Sequence, residues 1–198
     1  MSIPADILIK AAFLLVGVIC CFAAVNFKQI RRCKELAAHF NGSLAPYSLF
    51  MPTLQGMYEG FRLRIHAGPR FLEVPGTLTI RLFIRSLVEL RVYKRSAMIK
   101  AVRKIGRFPE VKMGDSLFDA EFLIISRQGE IARSYLQQRA AREGLQALFE
   151  QDFCMLVMDK RGTWTEKHAY DRKLDLELIP IVTVIRCLKT MATGIQDN

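Results

Sequence analysis

Acidic side chains, histidine and patterned cysteine are what this sequence is short of. Its 198 residues hold 19 Asp and Glu against 29 Lys and Arg, a formal net charge of +10. That balance suits a polyanionic partner, either nucleic acid or anionic lipid. The three histidines, His39, His66 and His168, lie far apart. None has a metal-ligand partner at helical or hairpin spacing, so no metal site and no cofactor is expected. The five cysteines, Cys20, Cys21, Cys33, Cys154 and Cys187, are odd in number, and two fall in an apolar run. No spacing reads as a disulfide framework or a zinc site, which fits a reducing compartment. A Cys154–His168 dyad is a weaker reading than a small buried hydrophobe beside a solvent-facing histidine. Internal repeats and low-complexity linkers are also missing.

What is present first is an apolar run. From Ile7 to Val25 the chain reads ILIKAAFLLVGVICCFAAV, with Lys10 as its one charge. As a helix it spans about 28 Å, close to the hydrocarbon thickness of a bilayer. Lys10 is near enough to the start to snorkel, and Pro4 sits where a helix can begin. A cleaved signal peptide fits poorly, because Asp6 and Lys10 cancel and Phe22-Ala23-Ala24 lacks the small-x-small pattern. Ile19 before Cys20 argues against a lipoprotein signal. The remaining alternative is a buried core helix. The expectation is a transmembrane helix within a 1–40 anchor and juxtamembrane unit. Lys28, Arg31, Arg32 and Lys34, opposed by Glu35, follow the run. They place the N-terminus outside and the C-terminal domain in the cytoplasm of a single-pass cell-membrane protein. Phe27, Ile30, Ala37 and Phe40 continue near-helical spacing, and Asn41-Gly42 reads as a C-cap.

Residues 41–198 then form one ordinary domain. Phe61, Leu63 and Ile65 alternate with Arg62, Arg64 and His66. Leu78, Ile80, Leu82 and Ile84 alternate around Arg81, and Val88, Leu90 and Val92 with Glu89, Arg91 and Tyr93. Such runs, punctuated by Gly60, Gly68-Pro69 and Pro75-Gly76, predict an antiparallel meander. Phe122–Ser126 reads as a further strand. Glu130–Gln151 reads as two helical pieces broken near Gly144. Cys154–Met158 and Thr163–Ala169 flank the turn Asp159-Lys160-Arg161-Gly162. A last helix runs from Leu178 to Met191, with Pro180 in its first turn. The fold class is α+β, an N-terminal transmembrane helix followed by an antiparallel sheet with packed helices.

Two features could carry function. Gly114-Asp115-Ser116-Leu117 is the name-giving string of the GDSL serine esterases and lipases. That chemistry needs a histidine base and preorganised oxyanion donors. The resemblance stops at the string. His168 follows Thr165-Glu166-Lys167 rather than an Asp-x-x pattern. Asn26, Asn41 and Asn198 form no oxyanion block. A serine hydrolase using Ser116 is therefore an alternative, and a loop turn is the plainer reading. The second feature is the basic stretch from Arg81 to Lys112. Its candidate contact residues are Arg91, Lys94, Arg95, Lys100, Arg103, Lys104 and Arg107, facing anionic lipid; the bland reading is a solvated face. Nucleic acid is the weaker partner, since no stacking platform of aromatics interleaves the charges.

The helix Glu35-Leu36-Ala37-Ala38-His39-Phe40, then Asn41-Gly42, Tyr58-Glu59-Gly60 and Gly114-Asp115 … Phe118-Asp119 … Phe122-Leu123-Ile124 resemble a loose set of uncharacterised bacterial proteins anchored by a single membrane pass. The resemblance implies an anchored domain and no activity. The function expected is a membrane-tethered, non-enzymatic interaction or scaffold domain. Its partners would be membrane lipids and, secondarily, another membrane or cytoplasmic protein.

Overall fold

Alternation of apolar and polar residues decides the sheet. The computed structural model describes residues 4–45, 52–68, 76–86, 88–95, 109–171 and 173–194. Within them, β3 (Phe61–Ala67) and β4 (Thr77–Leu82) bury every second side chain, as strands with one covered face do. They belong to one nine-stranded sheet. Its other strands are β1 (Ser43–Leu44), β2 (Thr53–Tyr58), β5 (Leu90–Lys94), β6 (Glu110–Val111), β7 (Phe122–Ile125), β8 (Met155–Asp159) and β9 (Gly162–His168). All neighbours pair antiparallel, in the order β1-β2-β3-β4-β9-β8-β5-β7-β6.

The β2–β3 hairpin turns on Glu59 and Gly60, both at positive φ (49° and 84°). A two-residue turn with both φ positive matches the right-handed twist of the strands. Glu59 is held there by an ion pair to Lys189 at 2.6 Å. The expected meander through the runs at Leu63, Ile80 and Leu90 holds from β3 to β4 and then fails, and β2, which was not among its strands, adds to the other edge of β3. The β8–β9 hairpin inserts between β4 and β5. Strand pairing between distant segments leaves no mark on the alternation of either strand.

Helices cover one face. Among the described residues they are α1 (Ala5–His39), α2 (Ser116–Glu121), α3 (Gly129–Gln137), α4 (Arg139–Glu150) and α5 (Leu178–Thr193). The break between α3 and α4 falls at Gln138, whose ψ of 135° is extended, and not at Gly144. Gly144 is buried inside α4, where an added Cβ would meet Met191 Cγ at 3.1 Å. It lets α4 and α5 close on each other. Leu145, Leu148 and Phe149 from α4 and Ile181, Ile185 and Leu188 from α5 are buried there. Each such side chain removes apolar surface worth roughly 1.5–3 kcal/mol.

The C-terminal turns of α1 join this layer. Gln29, Cys33, Leu36, Ala37 and Phe40 are buried at spacings of three and four, the stripe of a docked helix. Gln29 Nε2 donates to the Ala67 carbonyl at 2.9 Å and to the Tyr170 hydroxyl, which donates to the Gly68 carbonyl at 3.2 Å. Burial pushes the Cys33 thiol up to about 12, which makes it a packing group and not a nucleophile.

The N-terminal turns of α1 corrected the expectation drawn from the apolar run. Ile7, Leu8, Ile9, Phe13, Leu14, Leu15, Val16, Val18 and Ile19 are exposed, and Lys10 pairs with Asp6 at 2.8 Å. Among the described residues, no helix is long and apolar enough to cross a membrane. The transmembrane helix expected in the 1–40 unit is therefore overturned. So are the single-pass topology, the orientation and the cell-membrane localisation that rested on it. The reason is length. Between Lys10 and Lys28 the uncharged residues 11–27 rise about 26 Å as a helix, short of a hydrocarbon core of about 30 Å, and from Gln29 on the same helix is buried against the domain. What remains is a run of exposed apolar side chains along the N-terminal turns of α1.

Candidate functional site

Strand register assembles a site on the sheet face opposite the helices. One row of paired residues crosses this outer face from β2 to β7: Gln55, Arg64, Arg81, Trp164, Val157, Arg91 and Ile125. In the next row Arg62 lies opposite Phe83, whose N–H donates to the Arg62 carbonyl at 2.8 Å. On the other side run Thr53, His66, Thr79, Glu166, Met155, Tyr93 and Leu123. Tyr93, Leu123 and Ile125 pack together as a small apolar cluster of their own.

Three arginines converge where these rows meet. The guanidinium carbons of Arg62, Arg64 and Arg81 lie 5.3, 5.6 and 5.1 Å from the centroid of the Phe83 ring. Each is within the range of a cation–π contact, and the ring restrains all three. Among the described residues no carboxylate pairs with any of them. The Nε groups of Arg64 and Arg81 are buried and have no hydrogen-bond partner there. Like charges placed directly opposite on paired strands repel. At 4 Å two unit charges repel by about 1 kcal/mol in water and about 4 kcal/mol at an effective dielectric near 20. Buried donors without an acceptor add their own cost.

The neighbouring groups feel this positive potential. His66 Nδ1 lies 2.8 Å from Thr53 Oγ1. Its imidazole is held below the ordinary histidine value, by burial first and by the Arg64 charge second, with Glu166 pulling the other way. Glu166 itself turns toward His168, at 3.3 Å. The chemistry on offer is multidentate donation to an anion.

The expected contact residues land in different places. Arg91 is exposed in the same row as Arg64 and Arg81, and Lys94 is half-buried at the end of β5. Arg95 is a structural clamp: its Nε donates to the carbonyls of Asp119 and Phe122 at 2.8 and 3.2 Å, and its Nη2 meets Glu110 at 2.5 Å. Lys100, Arg103, Lys104 and Arg107 lie outside the described residues. The sequence reading passed over Arg62 and Arg64 as the polar side of a strand. Their Arg-x-Arg alternation was the available signal, and only the β3–β4 register makes it a cluster. Beyond Arg91, a cleft of about 270 Å³ lined by Glu89, Arg127, Asp159, Lys160 and Arg161 continues the charged surface at the sheet end.

The Gly-Asp-Ser-Leu string is a helix start. Gly114 has φ +79°, and Asp115 caps α2, its Oδ1 accepting from the Leu117 and Phe118 N–H groups, both at 3.2 Å. Asp115 Oδ2 meets Arg142 at 2.9 Å. Asp119 accepts from the Met113 and Gly114 N–H groups at 2.9 and 3.1 Å. Ser116 is exposed, and its side chain makes no hydrogen bond among the described residues. Among those residues no group of three His, Cys, Asp or Glu side chains gathers to hold a metal.

No family model matches the sequence, and no curated protein matches it. Among solved structures the chain is similar to the crystal structure of the mycobacterial trehalose monomycolate transport factor A, TtfA. The identity is 12% and the TM-score 0.49, over 81% of this chain and 96% of that one. At that distance the likeness carries no argument.

Proposed function

We propose that this protein is a non-enzymatic interaction domain that works against an anionic lipid surface, with the outer face of its sheet as the contact. The observation that carries the reading is the arginine-bearing row on that face, with Arg62, Arg64 and Arg81 gathered at Phe83 and no carboxylate on them among the described residues. The exposed apolar turns of α1 support it. A lipid surface offers apolar and anionic chemistry together, and each basic residue close to such a surface adds about 1 kcal/mol.

The test is co-sedimentation of the full chain with neutral phosphatidylcholine vesicles and with vesicles containing phosphatidylserine. The apolar turns of α1 contribute to both, so the readout is the anionic increment. That increment should fade as salt shortens the Debye length from about 10 Å at 0.1 M to about 3 Å at 1 M. Changing Arg62, Arg64 and Arg81 to Gln should remove most of it. Changing Arg133, Arg139 and Arg186 to Gln, on the helical side, should remove little. Equal losses would leave net charge as the whole effect and overturn the reading. Tighter binding of a single-stranded oligonucleotide than of anionic vesicles would replace lipid by nucleic acid, with Phe83 and Trp164 as the stacking groups.

A further inference from the structure

We propose that Arg62, Arg64 and Arg81, gathered around Phe83, form a discrete site for a phosphate monoester, presented by a lipid whose headgroup ends in that phosphate. The proposal rests on the reading that this face meets anionic lipid, and it names the headgroup the face selects.

The contrast with five other arginines is the starting point. Arg31, Arg95, Arg133, Arg139 and Arg142 each face a carboxylate, Glu35, Glu110, Glu130, Glu143 and Asp115 respectively. The three at Phe83 have none among the described residues. They also sit on paired strands, where Arg64 is directly opposite Arg81 and Arg62 directly opposite Phe83. Strand-borne side chains restrained by an aromatic ring are pre-organised, so little freedom remains to be lost on binding.

The charge and donor count select the ligand. A phosphodiester headgroup carries one negative charge shared by two non-bridging oxygens. A terminal phosphate monoester carries about −1.5 to −2 near neutral pH and offers three strong acceptors. Guanidinium is the planar fork that matches such a group, whereas an ammonium meets it as a point charge. The Nε donors of Arg64 and Arg81 are buried without an acceptor, as is that of Arg142, but Arg142 has Asp115 on its Nη2 at 2.9 Å, whereas among the described residues these two have no carboxylate on any nitrogen. A phosphate oxygen entering between these guanidiniums gives the donors that partner and screens three like charges at once. Trp164, the chain's one tryptophan, is the β9 partner of Arg81 and reports occupancy by fluorescence.

The experiment titrates the full chain, read by Trp164, with phosphatidic acid vesicles and with phosphatidylserine vesicles matched in total surface charge. Inorganic phosphate is the third arm. The expected result is about tenfold tighter binding to phosphatidic acid, with inorganic phosphate binding far more weakly. A double variant, Arg64→Lys with Arg81→Lys, keeps the charge and the strand positions. It should bring phosphatidic acid binding down to the level of its own phosphatidylserine binding. Equal binding to the two anionic vesicles would overturn the discrete site and leave the broader lipid reading standing. No anionic increment on either vesicle would remove both. Inorganic phosphate binding as tightly as phosphatidic acid would overturn the lipid as source. A lysine variant that retains the preference would overturn the guanidinium fork.

Discussion

Arg81→Gln should make the unliganded protein more stable at low salt. Arg81 is the cross-strand partner of Arg64, and both share the Phe83 ring with Arg62. Taking separations of 6–10 Å and effective dielectrics of 40–80, each pair of like charges costs about 0.4–1.4 kcal/mol. Removing Arg81 removes two of the three pairs, a gain of about 1–3 kcal/mol. Against this stand one lost cation–π contact, about 0.5–1 kcal/mol, and some packing of the arginine stem. The net is a stabilisation of about 1 kcal/mol at low salt. It should shrink toward zero or reverse at 1 M, where the Debye length of about 3 Å has already screened the parent's repulsion. Urea denaturation followed by Trp164 fluorescence, at about 0.02 M and 1 M salt, measures it. A variant less stable than the parent at low salt, or a difference that ignores salt, would refute the like-charge argument. Stability gained where binding is lost is the usual mark of a site held against its own interests.

Other positions give independent checks. Tyr170→Phe removes the hydroxyl that accepts from Gln29 and donates to the Gly68 carbonyl; a loss of about 1–3 kcal/mol follows, and an unchanged thermal melt would show that this lock contributes nothing. His66 is depressed below its ordinary 6.5 in the fold, so the unfolded chain binds the extra proton. Its contribution is full above about pH 6.5 and is lost as pH falls from there toward the folded value. His66→Gln should flatten stability across that window, and a parent already flat there would contradict the assignment. Asp115→Ala removes the cap of α2 and should lower the melting temperature, while Ser116→Ala should stay within about 0.5 kcal/mol. Turnover of a short acyl ester that disappears with Ser116→Ala would restore the hydrolase reading.

Much of the fold was legible where period is strong. Strands at Phe61–His66 and Phe122–Ile125, the hairpin around Asp159–Gly162 and the last helix after Glu177 follow from alternation, turn residues and a three-four stripe. The two-residue strands β1 and β6 are too short to have a period. The helix break was misplaced because glycine reads as a breaker, while here Gly144 is the close-packing residue and the chain bends at Gln138. The apolar run of α1 reads as a span by its length and its scarcity of charge. It belongs to a helix whose later turns are docked through Gln29, Cys33 and Leu36, so one element serves two environments.

The site was less legible, because charge density along a chain and charge density in space are different quantities. The stretch from Arg81 to Lys112 ranks highest along the chain. Within it Glu110 engages both Arg95 and Lys112, at 2.5 and 2.8 Å, so two of its positive charges are already answered. Arg62, Arg64 and Arg81 come from two strands, and no window of sequence holds them as a patch. Alternation puts Arg62, Arg64 and His66 on one face. It does not say that β4 arrives in a register that sets Arg81 against Arg64 and Phe83 against Arg62. A slip of one residue would turn Leu82 and Ile80 outward and bury Arg81, which the hydrophobic core forbids. The burial of Leu63, Ile65, Ile80 and Leu82 is thus what fixes the arginines against one another. The core holds together a cluster of like charges that would otherwise separate.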